Sequence, residues 1–383
     1  MTRRQGGHVR VLVIDIGTGT QDILLFDSER SPENCLKLVM PSPTLRIAQA
    51  IRQATARSQP LLLTGVTMGG GPCAWAAEDH LKAGLAVYAT PDAARTFDDD
   101  LEVVQSRLGV RIVAEEEARR LAQEDSLAVV EMADVDYPAV RAAFSAFGVD
   151  LSLDALVVGV FDHGHAPPGV SDRQFRLDYL RERLSQDRRL STFAFKADAI
   201  PPAMTRLRAA AETAARQSQL PVYVMDTAPA AVLGALEDPS VRERPNATVV
   251  NVGNFHTLAF QFLGGQVARL FEHHTGLLNV GSLSAWLARL ADGSITHEVV
   301  FAEHGHGAAV LDATPVADPW VAVIGPRRSM LRGSALHTYF AVPHGDQMLA
   351  GCFGMVRALA DLEPGWAEEI ERALASGGER GLW

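Results

Sequence analysis

The chain has 383 residues, 47% of them hydrophobic and 21% charged, with a formal net charge of −11. That balance fits a globular protein with two or three cores and excludes a disordered chain, collagen and a long coiled coil. With 46 acidic against 35 basic residues it lacks the electrostatic footprint of a nucleic-acid or anionic-membrane binder, so a small-molecule partner is expected.

Short β-branched runs alternate with Ala/Arg/Leu-rich stretches, which predicts α/β layering. Strands are expected at 10–15, 22–26, 61–66, 85–88, 127–132, 155–161, 222–225, 248–252, 257–262 and 321–324. Helices are expected at 43–57, 73–83, 91–108, 115–123, 137–147, 172–184, 204–217, 228–236, 281–290, 347–359 and 366–374. The first fifteen residues hold no apolar run of signal-peptide length, so a cytoplasmic location is expected. Two uncharged stretches, 58–77 and 246–268, carry too many glycines, asparagines and other polar groups to suit a bilayer. Only Lys37, Lys82 and Lys196 are lysines, and no GxxxxGK[ST] phosphate loop occurs. Cys35, Cys73 and Cys352 lie far apart, which argues against a zinc knuckle or a local iron-sulfur site.

An internal echo is the most informative feature. Residues 9–27 read VRVLVIDIGTGTQDILLFD and residues 247–263 read ATVVNVGNFHTLAFQFL. Each is an apolar strand, a polar residue (Asp15 or Asn251), one apolar residue, a glycine (Gly17 or Gly253), a few small or polar residues, and a second apolar strand. Two hairpins of this form predict two similar lobes, an N-terminal one over 1–245 and a C-terminal one over 246–383. A glycine and hydroxyl-rich turn gathers backbone N–H groups into an anion nest, and a carboxylate beside it makes sense with a divalent cation between them.

DIGTGTQDILLFD resembles the first phosphate motif of the actin, sugar kinase and heat-shock chaperone ATPase superfamily, and NVGNFHT resembles its second. Three more segments follow in the superfamily's order: MDTAPAAVLGAL (Met225 to Leu236) is similar to the first crossing helix, VAVIGPRRSML (Val321 to Leu331) to the turn that meets adenosine, and GDQMLAGCFGMVRAL (Gly345 to Leu359) to the second crossing helix. The resemblance implies a two-lobed actin-like ATPase fold of ribonuclease H-like type, with a duplicated β-hairpin core that binds phosphate, and ATP with Mg2+ in the cleft. By position it implies that Asp15 organises magnesium, that Gly17, Thr18, Gly19 and Thr20 hold phosphates, that Gly253 and Asn254 meet them from the other lobe, and that Gly325 and Arg327 lie near adenosine. Asn251 departs from the acidic residue usual in the second motif, so Asp226 is the substitute carboxylate, or else a helix cap.

TGVTMGGGP (Thr64 to Pro72), FDHGHAPPGVSDR (Phe161 to Arg173) and FEHHTG (Phe271 to Gly276) resemble, more specifically, a prokaryotic family often labelled pyruvate formate-lyase activating enzyme. Radical activases hold a cluster on closely spaced cysteines, which this chain lacks. Ten of the twelve histidines fall between His163 and His344, grouped in DHGH, EHH and EHGH. These can bind a substrate anion, shuttle a proton, hold a metal, or only tie loops. Asp162, His163 or His165 is the expected base for an acceptor seated between Thr67–Gly71 and the DHGH turn. Arg173, Arg176, Arg327 and Arg328 can clamp an anion or solubilise the surface, and Asp98 to Asp100 read as an acidic helix start. The sequence thus predicts an Mg-ATP phosphotransferase or ATPase acting on a small polar acceptor. The alternatives are a slow ATPase acting as accessory to a client protein, and a histidine-cluster metal hydrolase or lyase with decayed phosphate motifs.

Overall fold

A computed structural model describes residues 7–376. The first apolar run forms β1 (Arg10–Ile16), which pairs antiparallel with β2 (Thr20–Asp27), itself antiparallel to β3 (Leu36–Pro41). Helix α1 (Pro43–Ala56) then leads into a separate parallel sheet of β4 (Leu61–Gly65), β5 (Val87–Ala89), β6 (Arg111–Ile112) and β7 (Ala128–Met132). Helix α2 (Pro72–Lys82) packs against α1 over this inserted sheet and shares its core of Ile51, Leu63, Cys73 and Val104. The chain returns to the first sheet with β8 (Ala155–Val160), parallel to β1, then β9 (Ala194–Lys196) and β10 (Val222–Asp226), giving the order β3-β2-β1-β8-β10-β9.

The remaining strands build a second six-stranded sheet. They are β11 (Thr248–Val252), β12 (His256–Leu263), β13 (Gln266–His274), β14 (Gly307–Val310), β15 (Trp320–Ile324) and β16 (His337–Phe340), in the order β14-β13-β12-β11-β15-β16. In both sheets an antiparallel meander of three strands receives two parallel strands on the far side of its first strand, β8 and β10 in one, β15 and β16 in the other. This repeated order is the ribonuclease H-like arrangement of a two-lobed actin-like ATPase fold.

Of the longer helices, α3 (Asp172–Gln186), α4 (Thr205–Ser218) and α5 (Thr227–Ala235) belong to the first half, and α6 (Val280–Asp292) and α7 (Ala350–Leu362) to the second. Helices α5 and α7 cross between the sheets at glycines: a Cβ on Gly234 would fall on the Ala350 carbonyl, and one on Gly354 on the Ala230 carbonyl. One apolar cluster is continuous through them, from Val13 and Leu24 to Val249 and Phe260. Among the described residues, no helix is long and apolar enough to cross a membrane.

The stretch expected as one helix at 91–108 breaks into Pro91–Ala94, Leu101–Val103 and a π-turn at Val104–Leu108. Asp98 accepts the Asp100 N–H and Asp100 the Glu102 N–H, so side chains compete with the helical bonds there. Strand β13 was not expected because Arg269, Glu272 and His273 interrupt its apolar run; all three are buried, and they face polar partners rather than oil.

Candidate functional site

The two glycine turns have one geometry. The Gly17 N–H donates to the Thr20 carbonyl at 2.9 Å, and the Gly253 N–H donates to the His256 carbonyl at 3.0 Å. The polar residue, the glycine and the closing residue therefore correspond pairwise: Asp15 with Asn251, Gly17 with Gly253, Thr20 with His256. Both turns face one cleft of about 760 Å³, and a Cβ on Gly19 would stand 3.4 Å from the Asn254 side-chain nitrogen. Among the described residues the amides of Thr18, Gly19, Asn254 and Phe255 have no protein partner, so four donors are free for an anion. Ser42 fixes the first turn from behind, its hydroxyl donating to the Thr18 carbonyl at 2.6 Å and its N–H to the Gly19 carbonyl at 3.2 Å.

The floor of the cleft is acidic. Asp15, 8% exposed, accepts the Thr227 hydroxyl from the start of α5, and α7 approaches so closely that a Cβ on Gly351 would fall on its carboxylate. Burial pushes Asp15 up to about 6 against the opposing Thr227 bond. Its cross-strand partner Asp22 is pushed up to about 7, by burial first and then by the charge of Asp15. A divalent cation at these oxygens would relieve both the burial and the repulsion, so the donor set suits magnesium.

Beside the floor, Arg176 of α3 is wholly buried. It donates to Asp226 at 2.5 Å, to both oxygens of Glu272 at 3.0 and 2.9 Å, and to the Asp162 carbonyl at 2.7 Å. This ties β10 of the first sheet to β13 of the second through a single guanidinium. Beyond it lie four imidazoles, His163, His256, His274 and His306, with successive ring centroids 4.8 to 5.5 Å apart. Burial holds each below the ordinary imidazole value, His306 at about 2.

The cleft brings together Asp15, Gly17, Thr18, Gly19, Thr20, Gly253, Asn254, Gly325, Asp162 and His163 from among the residues singled out by sequence. Asp162 accepts the N–H groups of Gly164 at 2.8 Å and Leu207 at 2.9 Å, and burial raises it to about 6. Asp226 is outside the lining; besides Arg176 it accepts the Ala228 N–H and caps α5. His165 turns outward, 3.2 Å from Asp99. Arg327 is exposed, with its N–H on the Val252 carbonyl, while Gly325, two residues earlier, has φ +99° and leaves room for the Asn251 side chain. Sequence reasoning missed Asp22, Thr227, Gly351 and His256; it singled out Arg176 and the Glu272–His274 run, but not the pairing of Arg176 with Glu272. Of those four, His256 alone carried a local signal, its place opposite Thr20 in the echo. The Thr67–Gly71 loop lines the cleft wall and is pinned by Asp134, which accepts the Gly69 N–H and pairs with Arg206. Cys35, Cys73 and Cys352 are buried singly as free thiols.

Among solved structures, the chain is similar to a ROK hexokinase from Thermus thermophilus, with 13% identity over 93% of this chain and 100% of that one, TM-score 0.30. It is also similar to a PilM-PilN type IV pilus biogenesis complex, with 13% identity over 93% and 99% of the two chains, TM-score 0.39. With a ROK family transcriptional regulator, a homolog of the E. coli MLC protein, it shares 10% identity over 67% of this chain but spans only 37% of that one, TM-score 0.27. A search of the curated proteins finds no match. A family model described as "Putative pyruvate format-lyase activating enzyme (DUF1786)" matches residues 68–330. Since that match spans more than half of the sequence, the chain belongs to this family.

Proposed function

We propose that the chain binds Mg-ATP in the cleft and passes the terminal phosphoryl group to a small polar acceptor or to water. The observation that carries this reading is the pair of matching glycine turns, one from each sheet, whose unpartnered amides line one cleft. The amides of Thr18 and Gly19 and the Thr20 hydroxyl would hold phosphate oxygens from one side, and Asn254 from the other. Asp15 and Asp22 would hold magnesium, which when bound neutralises charge on the transferring phosphates. Gly325, in the cleft lining, would lie beside the nucleoside. The acceptor would lie between Thr67–Gly71 and the turn after β8, where Asp162 keeps a lone pair on each oxygen to receive its proton.

Asn251 supports a variant of this reading, a slow ATPase whose closed state acts on a protein client, because the second turn offers no carboxylate to orient water. Thermal unfolding with ATP, ADP and Mg2+, followed by phosphate-release assays, tests both. A magnesium-dependent rise in midpoint with ATP is expected; no rise at millimolar ATP would overturn nucleotide binding. Phosphate release stimulated by small polar acceptors favours transfer, and slow acceptor-independent release favours the client form.

A further inference from the structure

The nucleotide reading leaves the imidazole cluster unused, yet it is built as a site. His163 follows β8 in the first half of the molecule, His256 opens β12, and His306 immediately precedes β14. One ring nitrogen from each can be chosen so that all three lie within 4.8 Å of one another. His306 is completely buried, and neither of its ring nitrogens has a hydrogen-bond partner. A buried imidazole without partners is costly unless something outside the protein completes it. Glu272 Oε1 lies 3.4 Å from His306 Nδ1, and Glu272 is itself held by Arg176. A carboxylate behind a histidine is the usual outer support of a metal ligand, because it orients the ring and leaves Nε2 free.

We propose that His163, His256 and His306 bind one divalent transition cation, zinc in preference. Three neutral imidazoles suit Zn2+, Fe2+, Co2+ or Ni2+ and offer nothing to Mg2+ or Ca2+, which require oxygen donors. His163 and His256 line the cleft whereas His306 stands behind them, so the remaining coordination position faces the cleft. The ligands come from both halves of the molecule, so the cation ties one to the other. It also anchors His256, the closing residue of the second glycine turn, two positions from Asn254. This site is separate from the Asp15 floor and does not depend on nucleotide binding.

The test uses the full chain without a histidine tag, stripped with a chelator and titrated with Co2+ and then Zn2+. One equivalent per chain is expected, with the visible bands of a nitrogen-ligated cobalt ion that zinc displaces, and a rise in the thermal midpoint. His306→Gln and, on the cleft side, His163→Gln each weaken binding by more than about a hundredfold, since losing a direct ligand exceeds the loss from an outer-shell one. Asp15→Asn keeps the cobalt spectrum while losing the magnesium-dependent response to ATP. Binding below one equivalent in the native chain, a water-like cobalt spectrum, or equal uptake by a folded His163→Gln variant overturns the site. If cobalt binds as expected and ATP does not, the nucleotide reading fails alone.

Discussion

The two glycine turns share a backbone and differ in charge. At the first, Asp15 and its cross-strand partner Asp22 face the cleft; at the second, the same places hold Asn251 and Leu258. The residue whose carbonyl closes the first turn, Thr20, carries a hydroxyl, and its counterpart in the second, His256, carries an imidazole. Duplication has kept the hairpin, which main-chain bonds and a glycine define, and has let the chemistry diverge. The first turn has two carboxylates beside its amides, and the second has only neutral side chains in the same places.

The comparison presupposes that the turns are held face to face, and the largest expected effect comes from releasing them. Arg176→Ala leaves Asp226 and Glu272 as buried, unpaired carboxylates and is expected to cost about 3–5 kcal/mol in denaturant unfolding. A loss below about 1 kcal/mol would mean that the seam is held elsewhere. Next comes the charge asymmetry itself. Asp15→Asn should abolish the stabilisation by Mg-ATP, worth about 2.7 kcal/mol at a hundredfold excess over Kd, while Asn251→Ala should keep most of it. Equal losses from both substitutions would erase the distinction. The shared backbone is tested by alanine at each glycine. A Cβ would lie 2.6 Å from the His256 carbonyl at Gly253 but 3.1 Å from the Thr20 carbonyl at Gly17, so Gly253→Ala should lower stability by about 1–3 kcal/mol and Gly17→Ala by less. The smallest effect is restorative: Asn251→Asp should tighten magnesium dependence of nucleotide binding by about tenfold or less, equivalent to about 1.4 kcal/mol. An unchanged magnesium titration would place Asn251 too far from the ion.

What the sequence disclosed was local. A glycine at fixed spacing between two apolar β runs is complete within about twenty residues, so both hairpins could be read directly, while the fold class followed from the resemblance of five segments in order. Strand β13 could not, because Glu272 is made tolerable in a core by Arg176, 96 residues earlier. The histidines show the same limit. Sequence neighbours suggested DHGH and EHGH as units, but His165 turns to Asp99 and His304 is exposed, while His163 and His306 meet each other and His256. Proximity in the chain grouped them one way, and the approach of two sheets groups them another.

The crossing of α5 and α7 at Gly234 and Gly354 has a mechanical corollary. Main chain lies against main chain at these two glycines, so a side chain at either would force the helices apart. Because α5 begins at Asp226 and Thr227, which meet Arg176 and Asp15, and α7 abuts Asp15 at Gly351, any such widening would be carried straight to the floor of the cleft.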